Sequence, residues 1–235
     1  MFNPCRLVGL GGLIVLLLSA CGGGGGGSSG PPNLSSAPGQ AALSAWLQAN
    51  HSYTLNATDA SGNNWQLQIS SSPNAGTTTF NGTANASSDT QTVNLFKNGA
   101  AVGNSVDTAY FTLNPYVRLG SVSNSGVYEI DSNQAAFPMT LTVGQSGPVD
   151  SFTYYHDSTL TTVDATGVDT YSVKANNAST LLICAINDVQ NVTALGTTDG
   201  YVTETETDCY TDDASGNLSL SSVTVTGSGV TLTFQ

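Results

Sequence analysis

From Ser52 to the C-terminus the chain alternates apolar and polar residues with a period of two, and turn residues interrupt the alternation at short, regular intervals. That pattern puts successive side chains on opposite faces of an extended backbone, which is the geometry of a strand with one buried face. "SYTLNAT" and "NWQLQIS" flank "DASGN" at 59–63, and "TQTVNLF" and "AAVGNSVDTAYFTL" flank Lys97-Asn98-Gly99. Asn-Gly between alternating runs favours a tight hairpin, because both residues accept the positive φ of a type I′ turn. Residues 52–114 therefore read as at least two hairpins.

A break follows at "NPYVRLGSVSNSG" and a second at "DSNQAAFP". Strand-like runs then resume as "MTLTV", "DSFTYYH", "DTYSVKA", "TLLICAI", "GYVTETETDCY", "LSLSSVTV" and "VTLTF". The expected fold is all-β, an antiparallel β-sandwich or barrel-like sheet of about ten strands. Two small β modules, 51–120 and 138–235, or one domain crossed by a long loop both fit; long unstructured loops are uncommon in compact domains, which leans towards two modules. The one helical pattern lies at 41–50, where Ala42, Leu43, Trp46 and Leu47 form an apolar stripe behind Pro38. That stripe is expected to pack on the sheet, with Trp46 as a ligand platform the sharper alternative.

"DASGN" occurs twice, at 59–63 and 213–217. In each copy Gly arrives three positions after Asp, which suits a type I turn closed by a left-handed glycine and capped by the Asp carboxylate. A duplicated module would carry matching flanks, yet "NWQLQISSSP" and "LSLSSVTVTG" share alternation and few identities. The echo reads as one turn used twice.

The N-terminus has a different grammar. Behind Arg6 the run Leu7–Leu18, "LVGLGGLIVLLL", holds twelve apolar or glycine residues. A membrane-spanning helix needs about 20, so the run reads as the core of a signal peptide, residues 1–20. The run ends in Leu18-Ser19-Ala20-Cys21, which resembles the lipobox of bacterial lipoproteins. The resemblance implies a diacylglyceryl group on the Cys21 thiol, cleavage before Cys21 and acylation of the new amino group. Several acyl chains, at about 0.8 kcal/mol per buried methylene, anchor a protein to a membrane nearly permanently. Gly22 stands where such proteins carry Asp when retained at the inner membrane, so the resemblance implies the outer membrane, with the surface or the periplasmic face left open. Residues 21–40 then form a Gly/Ser/Pro-rich tether with a reach of roughly 25 Å.

From Cys21 onward three basic residues, Lys97, Arg118 and Lys174, face sixteen acidic ones, a net charge of −13. Such a chain repels phosphate backbones, which excludes nucleic acid as an expected partner. Cys184 and Cys209, 25 positions apart in an exported domain, are expected to form a disulfide worth about 3 kcal/mol.

Chemistry is sparse. No nucleophile elbow, zinc-protease helix, phosphate loop or dinucleotide fingerprint is present. In "YYHDST" at 154–159, His156 and Asp157 point to opposite faces of a strand, a poor dyad. The densest acidic stretch, Asp199 to Asp213, places Glu204, Glu206 and Asp208 on one strand face and Thr205, Thr207 and Cys209 on the other. A solvated or edge strand is the expected reading; calcium held by Glu204, Glu206, Asp208, Asp212 and Asp213 is the alternative, weakened because alternate strand positions diverge. No other metal and no cofactor is expected. Tyr110, Phe111, Tyr116, Phe152, Tyr154, Tyr155, Tyr171, Tyr201 and Tyr210 sit in alternating strands as core or cross-strand residues, any exposed ones being able to stack on sugar rings. The expected function is a non-enzymatic, lipid-anchored envelope protein that binds a glycan or a protein. A periplasm-facing assembly factor and a carboxylate-dependent hydrolase are the alternatives.

Overall fold

The structure, a computed structural model, describes residues 33–235. The expected signal peptide, Cys21 and most of the expected tether lie outside the described residues. Two short strands, β1 (Ser36–Pro38) and β9 (Thr140–Thr142), pair with each other. The other thirteen strands form one antiparallel sheet. Its first half contains β2 (His51–Thr58), β3 (Asn64–Pro73), β4 (Thr78–Phe80), β5 (Thr83–Lys97), β6 (Ala100–Leu113), β7 (Tyr116–Ser123) and β8 (Tyr128–Ser132). The second half contains β10 (Ser146–Tyr155), β11 (Val163–Ala175), β12 (Thr180–Val192), β13 (Glu204–Asp213), β14 (Leu218–Gly227) and β15 (Val230–Phe234).

Neighbours in the sheet follow chain order, except that β8 pairs directly with β10 and β4 branches from β5. The two ends of the sheet meet, because Asn56 of β2 and Gln235 exchange two backbone hydrogen bonds of 2.9 Å. Closure turns the sheet into a barrel-like tube and pairs both edges, the usual way an all-β protein removes aggregation-prone strand edges.

The all-β expectation holds. The break at "NPYVRLGSVSNSG" is itself strand: Tyr116–Ser123 is β7, paired on both sides, and β8 follows. Strands from 51–120 and from 138–235 thus lie in one continuous sheet. The turns behave as their residues dictate. Asn98 and Gly99 both have positive φ between β5 and β6. In each "DASGN" copy the Asp carboxylate accepts from two backbone N–H groups, Ser61 and Asn63 at 2.9 Å in the first, Ser215 and Asn217 at 2.8 and 3.0 Å in the second.

The helix α1 (Gln40–Trp46) ends a turn earlier than expected and buries Ala42 and Leu43, of which Leu43, with Leu47 just beyond the helix, joins the main core. It lies across one mouth of the tube: Ser44 Oγ donates to Leu113 O at the β6–β7 turn, and Ala42 packs near Gly216 in the β13–β14 turn. The chain is already pinned before α1, since Leu34 N donates to Asn177 O and β1 pairs with β9. Residues 34–40, the end of the expected tether, are therefore held against the domain. A second helix, α2 (Ala194–Thr198), joins β12 to β13 at the opposite mouth.

Inside, the tube is layered. Along β11, Val173 and Tyr171 belong to the main apolar core, Asp169 follows, and Ala165 belongs to a second apolar cluster with Phe152, Tyr154, Val189 and Tyr201. Along β12 the same order recurs as Leu181, Ile183, Ala185, then Asn187, then Val189. A polar layer is thus sandwiched between two apolar ones.

Candidate functional site

That polar layer is a girdle of carboxylates. Asp150 of β10 is paired in register with Asp169 of β11, Asp169 with Asn187 of β12, and Asn187 with Glu206 of β13. Beside them Arg118 of β7 donates to Glu129 at 2.7 and 2.8 Å and to Asp131 at 2.9 and 3.0 Å, both on β8. Ser121 Oγ donates to Glu129 Oε2 at 2.6 Å, and Asn187 Nδ2 donates to Asp169 Oδ1 at 3.1 Å. Glu206 and Asp208 are only 4% and 2% exposed, so the strand face expected to be solvated is the lumen face of β13. The reason is closure: a tube has an inside, and the acidic face of "ETETD" is the face that continues the inward residues of β12.

One guanidinium cannot balance so many enclosed carboxylates, and buried carboxyls without a counter-charge keep their protons. Burial is the first cause of the upward shift at Asp131, Asp169 and Glu206, each held well above the usual carboxylate range, with neighbouring carboxylates adding to it. Burial also pushes Asp150 up to about 6 and Asp208 up to about 8. Burial therefore biases the girdle carboxyls towards the protonated form around one Arg-centred ion cluster.

Of the calcium alternatives, Glu204, Glu206, Asp208 and Asp212 sit at alternate positions of β13 and diverge along it. Asp213 spends its carboxylate on the hairpin turn. Among the described residues the side-chain ligand atoms that do come together are those of His156, Asp164 and Asp199, at the α2 mouth. Cys184 and Cys209, directly opposite each other on β12 and β13, form the expected disulfide.

The aromatic residues divide clearly. Phe111, Tyr116, Phe152, Tyr154, Tyr171, Tyr201 and Tyr210 are buried. Trp46 is half-buried, its ring stacked on His51 at 4.4 Å and meeting Tyr210 in a T-shaped contact at 5.6 Å. Tyr110 is different. It lies on the outer wall, where the β4 hairpin folds over β6, β7 and β8, and Phe80 stacks on its ring at 4.1 Å and 8°.

Between that hairpin and the β10–β11 loop opens a cleft of about 240 Å³, floored by Tyr110, Val122 and Ile130 and flanked by Phe80, Tyr128 and Leu160. Thr78, Thr79 and Asn81 supply hydroxyls and an amide at its rim, and none of its lining residues is charged. Burial, with the nearby Tyr128 adding, raises the Tyr110 phenol above its ordinary value, so its hydroxyl is neutral and able to donate. Tyr110 was visible in the sequence as a strand aromatic; Phe80 and Tyr128 were not singled out. The only signal for them was their place in short runs, "TTTF" and "VYEI", next to turn glycines. No family model, characterised protein or solved structure matches this chain.

Proposed function

We propose that the protein is a lipid-anchored component of the bacterial cell envelope whose barrel-like domain binds a neutral glycan in the outer-wall cleft and does not transform it. The observation that carries this reading is the lining of the cleft, three aromatic rings with a hydroxyl and amide rim and no charge. A sugar ring offers an apolar C–H face and a polar edge, so it needs a ring to stack on and neutral hydrogen-bond groups around it. The chain's net charge of −12 disfavours anionic ligands. The paired carboxylates that a hydrolase would need, such as Asp150 and Asp169, are enclosed in the lumen. The apolar run before Cys21 and the glycine tether behind it support the anchor.

Two experiments test the two halves. Labelled palmitate is expected to enter the wild-type chain and to be absent from Cys21→Ser; equal labelling would remove the anchor. A panel of neutral and acidic oligosaccharides, titrated calorimetrically, is expected to yield binding by a neutral member that Tyr128→Ala weakens at least tenfold. Binding unchanged in Tyr128→Ala, or confined to acidic sugars, would sink the cleft as the site.

A further inference from the structure

The α2 mouth of the tube, opposite the tethered end, brings together three side chains from three elements. His156 follows β10, Asp164 stands second in β11, and Asp199 caps the C-terminus of α2. One ligand atom of each lies within 4.8 Å of the other two. His156 Nδ1 is 2.8 Å from Asp199 Oδ2 and 3.8 Å from Asp164 Oδ2. We propose that His156, Asp164 and Asp199 form a binding site for a divalent transition metal of the zinc type, with a coordination position open to solvent.

Geometry supports this first. Bonds of about 2.0–2.1 Å in a tetrahedral shell place neighbouring donor atoms about 3.4 Å apart. The two observed separations bracket that figure, so loading requires the His156–Asp199 contact to lengthen by roughly 0.6 Å. The side chains of His156 and Asp199 are 47% and 20% exposed, which leaves them room to move, whereas Asp164 at 0% is fixed.

Charge points the same way. A protonated imidazole brings one positive charge to two carboxylates, one of them fully enclosed; a divalent cation with neutral imidazole balances both. The donor set of one imidazole and two carboxylates suits zinc and its first-row neighbours better than calcium, which collects six to eight oxygens. Exposure of the imidazole leaves space for water or for a donor from a ligand, the arrangement of a non-structural zinc site.

The surroundings are built to hold these positions. Thr193 caps α2 by accepting from Gly196 N at 3.0 Å, and its own N donates to Asp164 O at 2.9 Å. Gly196 packs so closely on this backbone that a Cβ would stand 2.1 Å from Asp164 O. His156 N donates to Thr162 O at 2.9 Å across the β10–β11 loop. α2 thus rests on the strand that supplies one donor and carries another at its end. The site is independent of the outer-wall cleft and of the anchor.

Equilibrium dialysis of the untagged full chain in mild detergent against buffered zinc, with metal quantified after dialysis, tests the proposal. One zinc per chain is expected at micromolar free metal, with affinity reduced at least tenfold in His156→Ala and in Asp199→Asn. Both exposed-side changes are expected to leave the circular dichroism of the barrel unaltered. Gly196→Ala, which must push α2 off β11, is expected to lose zinc likewise while the disulfide-linked barrel still unfolds cooperatively. Failure of the wild-type chain to retain zinc at about 100 µM free metal, roughly a hundredfold above the expected range, would overturn the proposal and leave the three side chains as an ion cluster. Undiminished zinc in His156→Ala would overturn it as well, placing the metal elsewhere. Retention of calcium in preference to zinc would do the same.

Discussion

Asp208→Asn isolates the proton that the lumen forces on its carboxyl. In the folded chain burial holds Asp208 at about 8, whereas in the unfolded chain it has the ordinary value near 4. Between those values the folded state binds a proton that the unfolded state has released, so stability falls as pH rises. The contribution is complete below about pH 4, declines through the interval, and is exhausted once pH passes the folded value. One proton corresponds to about 1.4 kcal/mol per pH unit, so from pH 5 to pH 7 Asp208 alone removes about 3 kcal/mol. Asn has nearly the same shape and no proton to lose. The stability difference between Asp208→Asn and wild type is therefore expected to move in favour of the variant by up to about 3 kcal/mol over that range. Using the difference cancels whatever the amide gains or loses in packing, and it cancels the slopes of the other girdle acids apart from the relief given to Glu206, whose own upward shift is partly due to Asp208. Urea unfolding followed by the fluorescence of Trp46 and Trp65, at pH 5, 6 and 7 with the disulfide intact, provides the numbers. Parallel pH profiles for the two proteins would refute the reasoning, because they would mean that Asp208 is ionised and compensated inside the tube.

Arg118→Met leaves Glu129 and Asp131 enclosed without their guanidinium. It is expected to cost about 3–5 kcal/mol at pH 7 and visibly less at pH 5, where protonation relieves the girdle; thermal melts at both pH values check it, and an equal loss at both would contradict the charge argument. Replacing Cys184 and Cys209 with alanine opens a loop of 25 positions. It is expected to lower unfolding stability by about 3 kcal/mol with the barrel retained, and a change below 1 kcal/mol would show that the unfolded chain is already restrained there. Asp59 and Asp213, which bind their turns through ionised carboxylates, titrate in the opposite sense to the girdle. Hydrogen bonds, led by Trp65 for Asp59 and by Asn217 for Asp213, hold both below the usual range. The stability they supply is present above about pH 4 and declines as pH falls towards the depressed folded value, so Asp59→Ala is expected to destabilise more at pH 6 than at pH 2 in urea unfolding at the two pH values, and an equal loss at both would contradict the charge argument.

The strands were legible because alternation is a local property, and the hairpins because Asn98-Gly99 and both "DASGN" copies carry their turn geometry in their own residues. β7 was missed for a reason equally local. "YVRLGSVS" contains a charge, a glycine and a preceding proline, each of which marks a break when neighbours are unknown. In the tube Arg118 points into a cluster of acceptors. Gly120 at φ +133° lets the strand bulge where Glu129 O would stand 2.1 Å from a Cβ. Both features that look like interruptions are requirements of the girdle.

The acidic face of β13 shows where periodicity stops being informative. Alternation correctly puts Glu204, Glu206 and Asp208 together and opposite Thr205, Thr207 and Cys209, but it assigns no inside. For an isolated strand the threonine face is the better one to bury, and charges go to water. Closure reverses that choice, because the inward side of β13 is set by Leu181, Ile183 and Ala185 of β12 through the register, and those residues are far less negotiable than protonatable acids. Burying a carboxyl that can take up a proton costs only the free energy of protonation at the ambient pH, about 1.4 kcal/mol per unit above its ordinary value, whereas turning Leu181 and Ile183 outward forfeits roughly 1.5–3 kcal/mol each. Near neutral pH the two costs are comparable for a single residue, and the apolar partners on β11, β12 and β14 outnumber the acids. The acids go inside as neutral groups, and the domain's stability becomes tied to pH through the same residues that the sequence presents as its most soluble stretch.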